Sequence, residues 1–600
     1  MMTITKSPQR DEGAALVIVI AVGAVVALFM SLLVTVSVNG MKQASADANW
    51  NAALAAAYAG VDEYQSRLSA DTSYYRYGNA ASAFSTGTVV PPPVANPAFG
   101  VGAGGSWASV VESDGRAQFR YEVDNSHYAT SGRIRVRSTG KVGQATRTVV
   151  ADLKQEGFID FLYFTDYEVS DPSIAGTTNS GCFTDSTKTT LKYAWAGRST
   201  DKVGGTAVCN DIAFGASDEI KGPLHSNDTI RACSTTLKRT KFHGPVTTAD
   251  STAPFYEKMN ASGDPCQPAE FALAGYPAYS GGVIGMPATN AQLKKETRSD
   301  LTADDVPRPG CLYTGPTQFE FFDDGTVNIK SPFTRKTRIA NEAATDGSSP
   351  PECGLITALQ SKLGATIAVP DNNVMYVQNV PTVSGNVNRW APGTLPTDFT
   401  CSTGSKKEGW SFGSGAYPRS DEQSPTPTTY GCREGDIFVK GRFNGAATIA
   451  AENYVFLVGD ITYVDQQDDI LGIVGNNAVW VWNPMKVTDT WGGGKVYEPL
   501  LGSNRTIHAA ILSVAHTFQV QNYDRGGDRG TLTVRGAIAQ KYRGPVGTSG
   551  TVNGYTKNYI YDDRFKVQAP PKFLNPVTTT YGVTTWIEIG AVWAADGSAR

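Results

Sequence analysis

AALVIVIAVGAVVALFMSLLVTVSV, residues 14–38, is an unbroken uncharged run set directly behind Asp11, Glu12 and Gly13. At a rise of about 1.5 Å per residue it makes a helix of roughly 37 Å, enough to cross the ~30 Å hydrocarbon core of a bilayer with some tilt. A cleaved secretory signal would be shorter and would end in a small-residue site, whereas Asn39-Gly40-Met41-Lys42 follows here. The run reads as a retained membrane span. Lys6 and Arg10 are offset by Asp11 and Glu12, so flanking charge orients it only weakly.

The cysteines orient it better. Cys182, Cys209, Cys233, Cys266, Cys311, Cys353, Cys401 and Cys432 all lie beyond the span, and none falls in a zinc-ligand spacing. An even, dispersed set on one side of a membrane points to disulfides in an oxidising compartment, which places the large C-terminal part outside the cell. Their pairing is not legible from spacing.

Of 600 residues, 62 are Gly, 32 Pro and 26 Tyr, and only 18% are charged, which describes a turn-dense, β-rich protein. A net charge of −4 gives no basic field for nucleic acid, which is excluded as a main partner.

Beyond Gly40 the sequence MKQASADANWNAALAAAYAGVDEYQSRL keeps helical composition, with Leu54, Ala57, Val61, Tyr64 and Leu68 forming an apolar stripe. Span and stripe predict one long helix whose outer half packs on something. Residues 72–110 are rich in Tyr, Ser, Gly and Pro and read as a loop. AQFRYEV (117–123), RIRVRSTG (133–140) and ATRTVVADL (145–153) then alternate between turn residues, predicting an antiparallel meander.

DEG followed by AALVIVIAVGAVVAL resembles a type IV prepilin leader, and ALAAAYAGVDEYQSRL (53–68) resembles the helix of PilX-type minor pilins. The resemblance implies cleavage after Gly13 by a prepilin peptidase, with Ala14 as the mature N-terminus. It also implies that membrane lipid and other pilin subunits are partners. The fifth mature position, a Glu in most major pilins, is Ile18 here. That Glu is thought to offset a neighbouring subunit's N-terminal charge in lipid, so its absence points to a minor or capping subunit instead of a filament shaft.

From Phe158 onward short β-rich runs alternate with turn residues. IKGPLHSNDTIRA (220–232) and VKGRFNGAATIAA (439–451) align without gaps. Their apolar-x-Gly-x-apolar kernel returns around Gly244, Gly459 and Gly536. Gly222 and Gly244, and Gly441 and Gly459, stand roughly 20 residues apart, about one coil of a parallel β-helix. The expected fold class is mainly β with one long N-terminal α-helix: a pilin-like helix and meander, then a large β-solenoid-like domain with insertions. A β-sandwich with bulged strands is the alternative.

The expected organisation is a leader (1–13), a transmembrane and assembly helix (14–70), a pilin-like loop and meander (71–157) and a first solenoid part (158–254). A disulfide-bearing insertion (255–425), with one short helix near Gly354–Leu363, and a second solenoid part with the C-terminal tail (426–600) complete it. The stretch 535–576 resembles the C-terminal region of uncharacterised PilX-like surface proteins, through IAQKYRGPVG and a later Tyr-rich segment.

No HExxH, P-loop, G-x-S-x-G or dinucleotide fingerprint is present, and no cofactor or catalytic residue is expected. His225, Asp228 and His243 could meet on adjacent coils, but a turn with solvent-facing imidazoles is the expected reading. Asp465, Asp468 and Asp469 are the weak candidates for Ca²⁺ or for sugar chemistry of the kind β-helix enzymes perform. Trp480 and Trp482 share one face of VWVW, as a core ladder or as a strip for a surface ligand or polysaccharide. Lys541, Arg543, Lys557, Arg564 and Lys566 beside Tyr555, Tyr559 and Tyr561 read as solvated surface. The function expected is assembly and surface contact by a single-pass membrane protein, on a filament or as an envelope adhesin outside one.

Overall fold

The computed structural model describes residues 12–101, 106–128, 132–155, 157–280, 282–302, 306–404, 407–422, 430–490, 493–548, 552–566, 568–576 and 581–600. Residues 1–11 of the expected leader lie outside them. The chain divides into two compact units, Met1–Gln155 with Tyr581–Arg600, and Glu156–Thr580.

The first unit opens with helix α1, Glu12–Ala70. Its outer half lies on an antiparallel sheet in which Ala117–Asp124 pairs with Arg133–Val142 and the latter with Ala145–Gln155, as the alternation predicts. One strand was not expected there. Tyr581–Ile589 pairs antiparallel with Ala145–Gln155, so the chain's last segment belongs to the first unit and is not a tail of the second. The entire second unit is thus inserted, in chain order, between two neighbouring strands of this sheet. The sheet's inner face carries Phe119, Tyr121, Val123, Ile134, Val136, Val149, Ala151 and Leu153 into one core with Ala57, Val61, Tyr64 and Leu68 of α1.

The second unit is mainly β and its strands pair chiefly in parallel. One column of facing residues runs Phe321, Gly441, Ile461, Ile507, Val534, Tyr559, Ile220, Phe242 and Phe271, each paired in parallel with the next. A second runs Tyr313, Val377, Ala451, Gly475, Ser513, Gln540, Thr165, Ser226 and Thr248. Spatial order departs from chain order: strands from 430–561 separate those of 163–248 from those of 311–378.

These columns correct the expectation of an insertion over 255–425. Cys311–Thr314, Thr317–Phe321 and Asn373–Gln378 belong to the same sheet, paired in parallel with one another or with Ile437–Phe443 and Ala446–Ala451. Their edge is finished by antiparallel Thr326–Lys330 and Ala365–Ala368. The short helix forms at Ile356–Leu359.

The repeated glycines have a steric reason. A Cβ on Gly441, where φ is +120°, would sit 2.2 Å from the Phe321 carbonyl oxygen of the adjoining strand; on Gly244 it would sit 2.3 Å from the Gly222 backbone. Both distances lie far inside van der Waals contact, so neighbouring strands close only over glycine.

Candidate functional site

The bare half of α1 is the first candidate. Leu16, Ile18, Phe29, Leu33 and Val36 are each at least 60% exposed, and the apolar window of the helix has no protein cover. Burying such a surface in lipid recovers what water denies it. Its polar exceptions are mild; the Thr35 hydroxyl, for instance, donates to the Ser31 carbonyl at 2.8 Å. Gly13 and Ala14, the expected processing pair, lie in the first turn of this helix.

The outer half is seated closely. A Cβ on Gly140 would lie 2.1 Å from the Ala53 carbonyl oxygen and 2.2 Å from the Ala57 nitrogen; one on Gly60 would lie 2.3 Å from Ser138 Oγ. The Ala-rich stretch exists because helix backbone and strand backbone nearly touch. Polar ties add direction: the Tyr121 hydroxyl donates to Glu63 at 2.7 Å, Asn96 Nδ2 donates to Tyr74 and Tyr121, and Gln65 donates to the Tyr581 carbonyl. Burial and then the Glu63 charge hold the Tyr121 hydroxyl well above its ordinary pKa.

All eight cysteines are paired, as Cys182–Cys209, Cys233–Cys266, Cys311–Cys353 and Cys401–Cys432. Each bridge joins neighbours in sequence.

Most of the remaining candidates are interior residues, whereas Asp465, Asp468 and His243 are exposed. His225 is fully buried, not solvent-facing: Nε2 donates to Asn227 Oδ1 at 3.0 Å and Nδ1 lies 2.9 Å from Thr247 Oγ1. Burial pulls its pKa down to about 4. His243 stands elsewhere, half exposed beside Glu219. Asp228 belongs to a buried charge network that the sequence reading missed. Arg198 reaches Asp228 at 2.5 Å and Asp211 at 2.7 Å, and Arg231 reaches Asp211 at 3.2 Å and Glu257 at 2.7 Å. Burial alone would lower the Arg198 pKa, yet Asp228 and Asp211 outweigh it and raise it.

Asp469 is buried and accepts from the Gly445 and Asp465 backbone N–H groups at 2.8 and 2.7 Å, holding a turn. Among the described residues no cluster of three or more His, Cys, Asp or Glu could hold a metal. Trp480 and Trp482 are buried in an aromatic cluster with Trp410, Tyr430, Phe438 and Phe456, and Trp482 Nε1 donates to the Tyr430 hydroxyl at 2.9 Å. The basic-aromatic segment is corrected too. Arg543 pairs with Glu168 at 2.8 Å with both side chains 1% exposed, Lys557 pairs with Asp218 at 2.8 Å, and Tyr555, Tyr559 and Tyr561 are buried. Of those cations Lys566, at 62% side-chain exposure, is the most solvated of the paired set.

No family model matches the chain, and no curated protein matches it. Among solved structures it is similar to the competence-associated pilin ComZ from Thermus thermophilus, at 10% identity and a TM-score of 0.23, over 90% of this chain and 97% of that one.

Proposed function

We propose that the chain is a pilin-like surface protein, inserted in the membrane by the first half of α1 and carrying a disulfide-bonded β-rich unit outside the cell. The observation that carries this reading is the division of one helix into an uncovered apolar half and a half seated on an antiparallel sheet. An anchor alone needs no rigid continuation. A helix locked to its own domain can instead pack into a bundle of like helices without letting that domain swing.

Ile18 in place of a carboxylate favours a minor or capping subunit over a repeating one, since no side-chain charge at that position would neutralise a neighbour's N-terminus in lipid. The parallel columns of the second unit support reading it as a β-solenoid. Its role is contact with other subunits, or with a surface ligand or polysaccharide, and not turnover: of the groups weighed for chemistry, Asp469 holds a turn through backbone N–H groups and His225 is bonded in the interior.

Replacing Gly13 with Leu tests the reading. Loss of N-terminal processing and of surface display is expected. Unchanged processing and display would refute it in favour of an envelope protein that never enters a filament.

A further inference from the structure

We propose that Lys557 and Asp218 condense into an intramolecular amide, a covalent staple between two neighbouring strands of the second unit. Lys557 lies in strand Asn553–Tyr561 and Asp218 immediately precedes strand Glu219–Lys221. The parallel register faces Asn558 with Glu219, which sets residues 557 and 218 side by side across the ladder. Lys557 Nζ stands 2.8 Å from Asp218 Oδ2, with the two side chains 15% and 14% exposed. The Gly215 backbone N–H donates to the same oxygen at 2.9 Å, fixing the carboxylate.

The surroundings are apolar and charge-balanced. Lys557 Nζ lies 5.8 Å from the centre of the Phe214 ring, and the Arg543 guanidinium lies 3.7 Å from it, itself paired with Glu168 at 2.8 Å. Burial draws the Lys557 pKa below its ordinary value against the pull of Asp218, which favours the free amine, while at Asp218 burial is outweighed by Lys557 and Arg543 and the carboxyl also sits below its ordinary value. Burial also raises the cost of holding two ions where one neutral amide would serve.

The step needs no outside reactant. A proton passes from Nζ to the carboxylate along the contact, and the Nζ lone pair then attacks Cγ. One C–O bond breaks as the C–N bond forms, and the oxygen leaves as water carrying two protons that began on the ammonium.

Residues 218 and 557 are 339 positions apart. A bond between them would close most of the second unit into a ring, so that tension on its two chain ends extends only the short segments outside that ring.

The test is the intact mass of the full-length protein, purified from its membrane in detergent, denatured and reduced. After correction for the N-terminus found, the expected mass is the sequence mass less one water, with a tryptic species joining the Lys557 and Asp218 peptides. Both features should vanish in Lys557→Arg, which keeps the charge. A wild-type mass with no deficit overturns the proposal, as does a deficit without the joined peptide, which would mark a cyclised aspartate. The wild-type result decides even where the variant fails to fold.

Discussion

Gly140→Ala is the sharpest test of how α1 is seated. The added methyl would lie 2.1 Å from the Ala53 carbonyl oxygen, 2.2 Å from the Ala57 nitrogen and 2.7 Å from the Ala56 carbonyl carbon. All three are backbone atoms, so no side chain can swing away; helix and strand must part by about 1 Å to restore contact distance. A gap of that size forfeits a quarter to a half of the dispersion between facing atoms, here those under Ala57, Val61 and Tyr64. Overpacking of this kind costs about 2–3 kcal/mol, whereas removing a glycine from the unfolded chain returns only ~0.5–1 kcal/mol. The net expectation is a loss of roughly 1–2 kcal/mol. Hydrogen exchange in the full-length protein in detergent reads it as faster opening of Arg133–Val142 and Ala145–Gln155. Gly590→Ala, where an added Cβ meets nothing within 4 Å, is the control and should change little. A Gly140→Ala protein as protected as wild type, or more so, would refute the close seating.

Other consequences can be checked on the second unit. His225 stays neutral in the fold down to pH about 4 but takes a proton near pH 6.5 when unfolded, so it favours the fold above pH 6.5 and that contribution is lost as pH falls toward 4. The full loss is about 3 kcal/mol by linkage, and urea titrations of His225→Gln across that window should show a flatter slope than wild type. Arg198→Met leaves Asp228 buried without its cation, while Asp211 keeps Arg231, and should cost about 3–5 kcal/mol in the same assay at neutral pH. Replacing Cys182 and Cys209 together by Ser releases a loop with a sequence separation of 27 and should lower stability by roughly 3 kcal/mol, read as a shifted urea midpoint under non-reducing conditions.

The helix and meander were legible because their signals are local. A 3.6-residue stripe from Leu54 to Leu68 and strict alternation over 117–153 each name a face without reference to the rest of the chain. The Gly kernel was legible as a repeat, although its physical cause, a backbone contact between strands at Gly441 and Gly244, is set only by the fold. The strands of 311–321 and 373–378 were missed because they lack that kernel and are interrupted by Pro-rich loops. Tyr581–Ile589 was missed because its partner lies more than four hundred positions earlier and nothing local specifies so distant a pairing. The buried charges misled for the same reason. Arg543, Lys557 and Asp228 look like surface residues until the fold sets Glu168, Asp218 and Arg198 against them.

The central claim is that residues 14–38 are a retained span at the start of a processed, membrane-inserted helix. N-terminal sequencing with intact-mass analysis of the protein from its native membrane tests it most directly. The account predicts a chain beginning at Ala14 in the membrane fraction, with all eight cysteines oxidised. A chain beginning beyond Val38, released from the membrane, would contradict it.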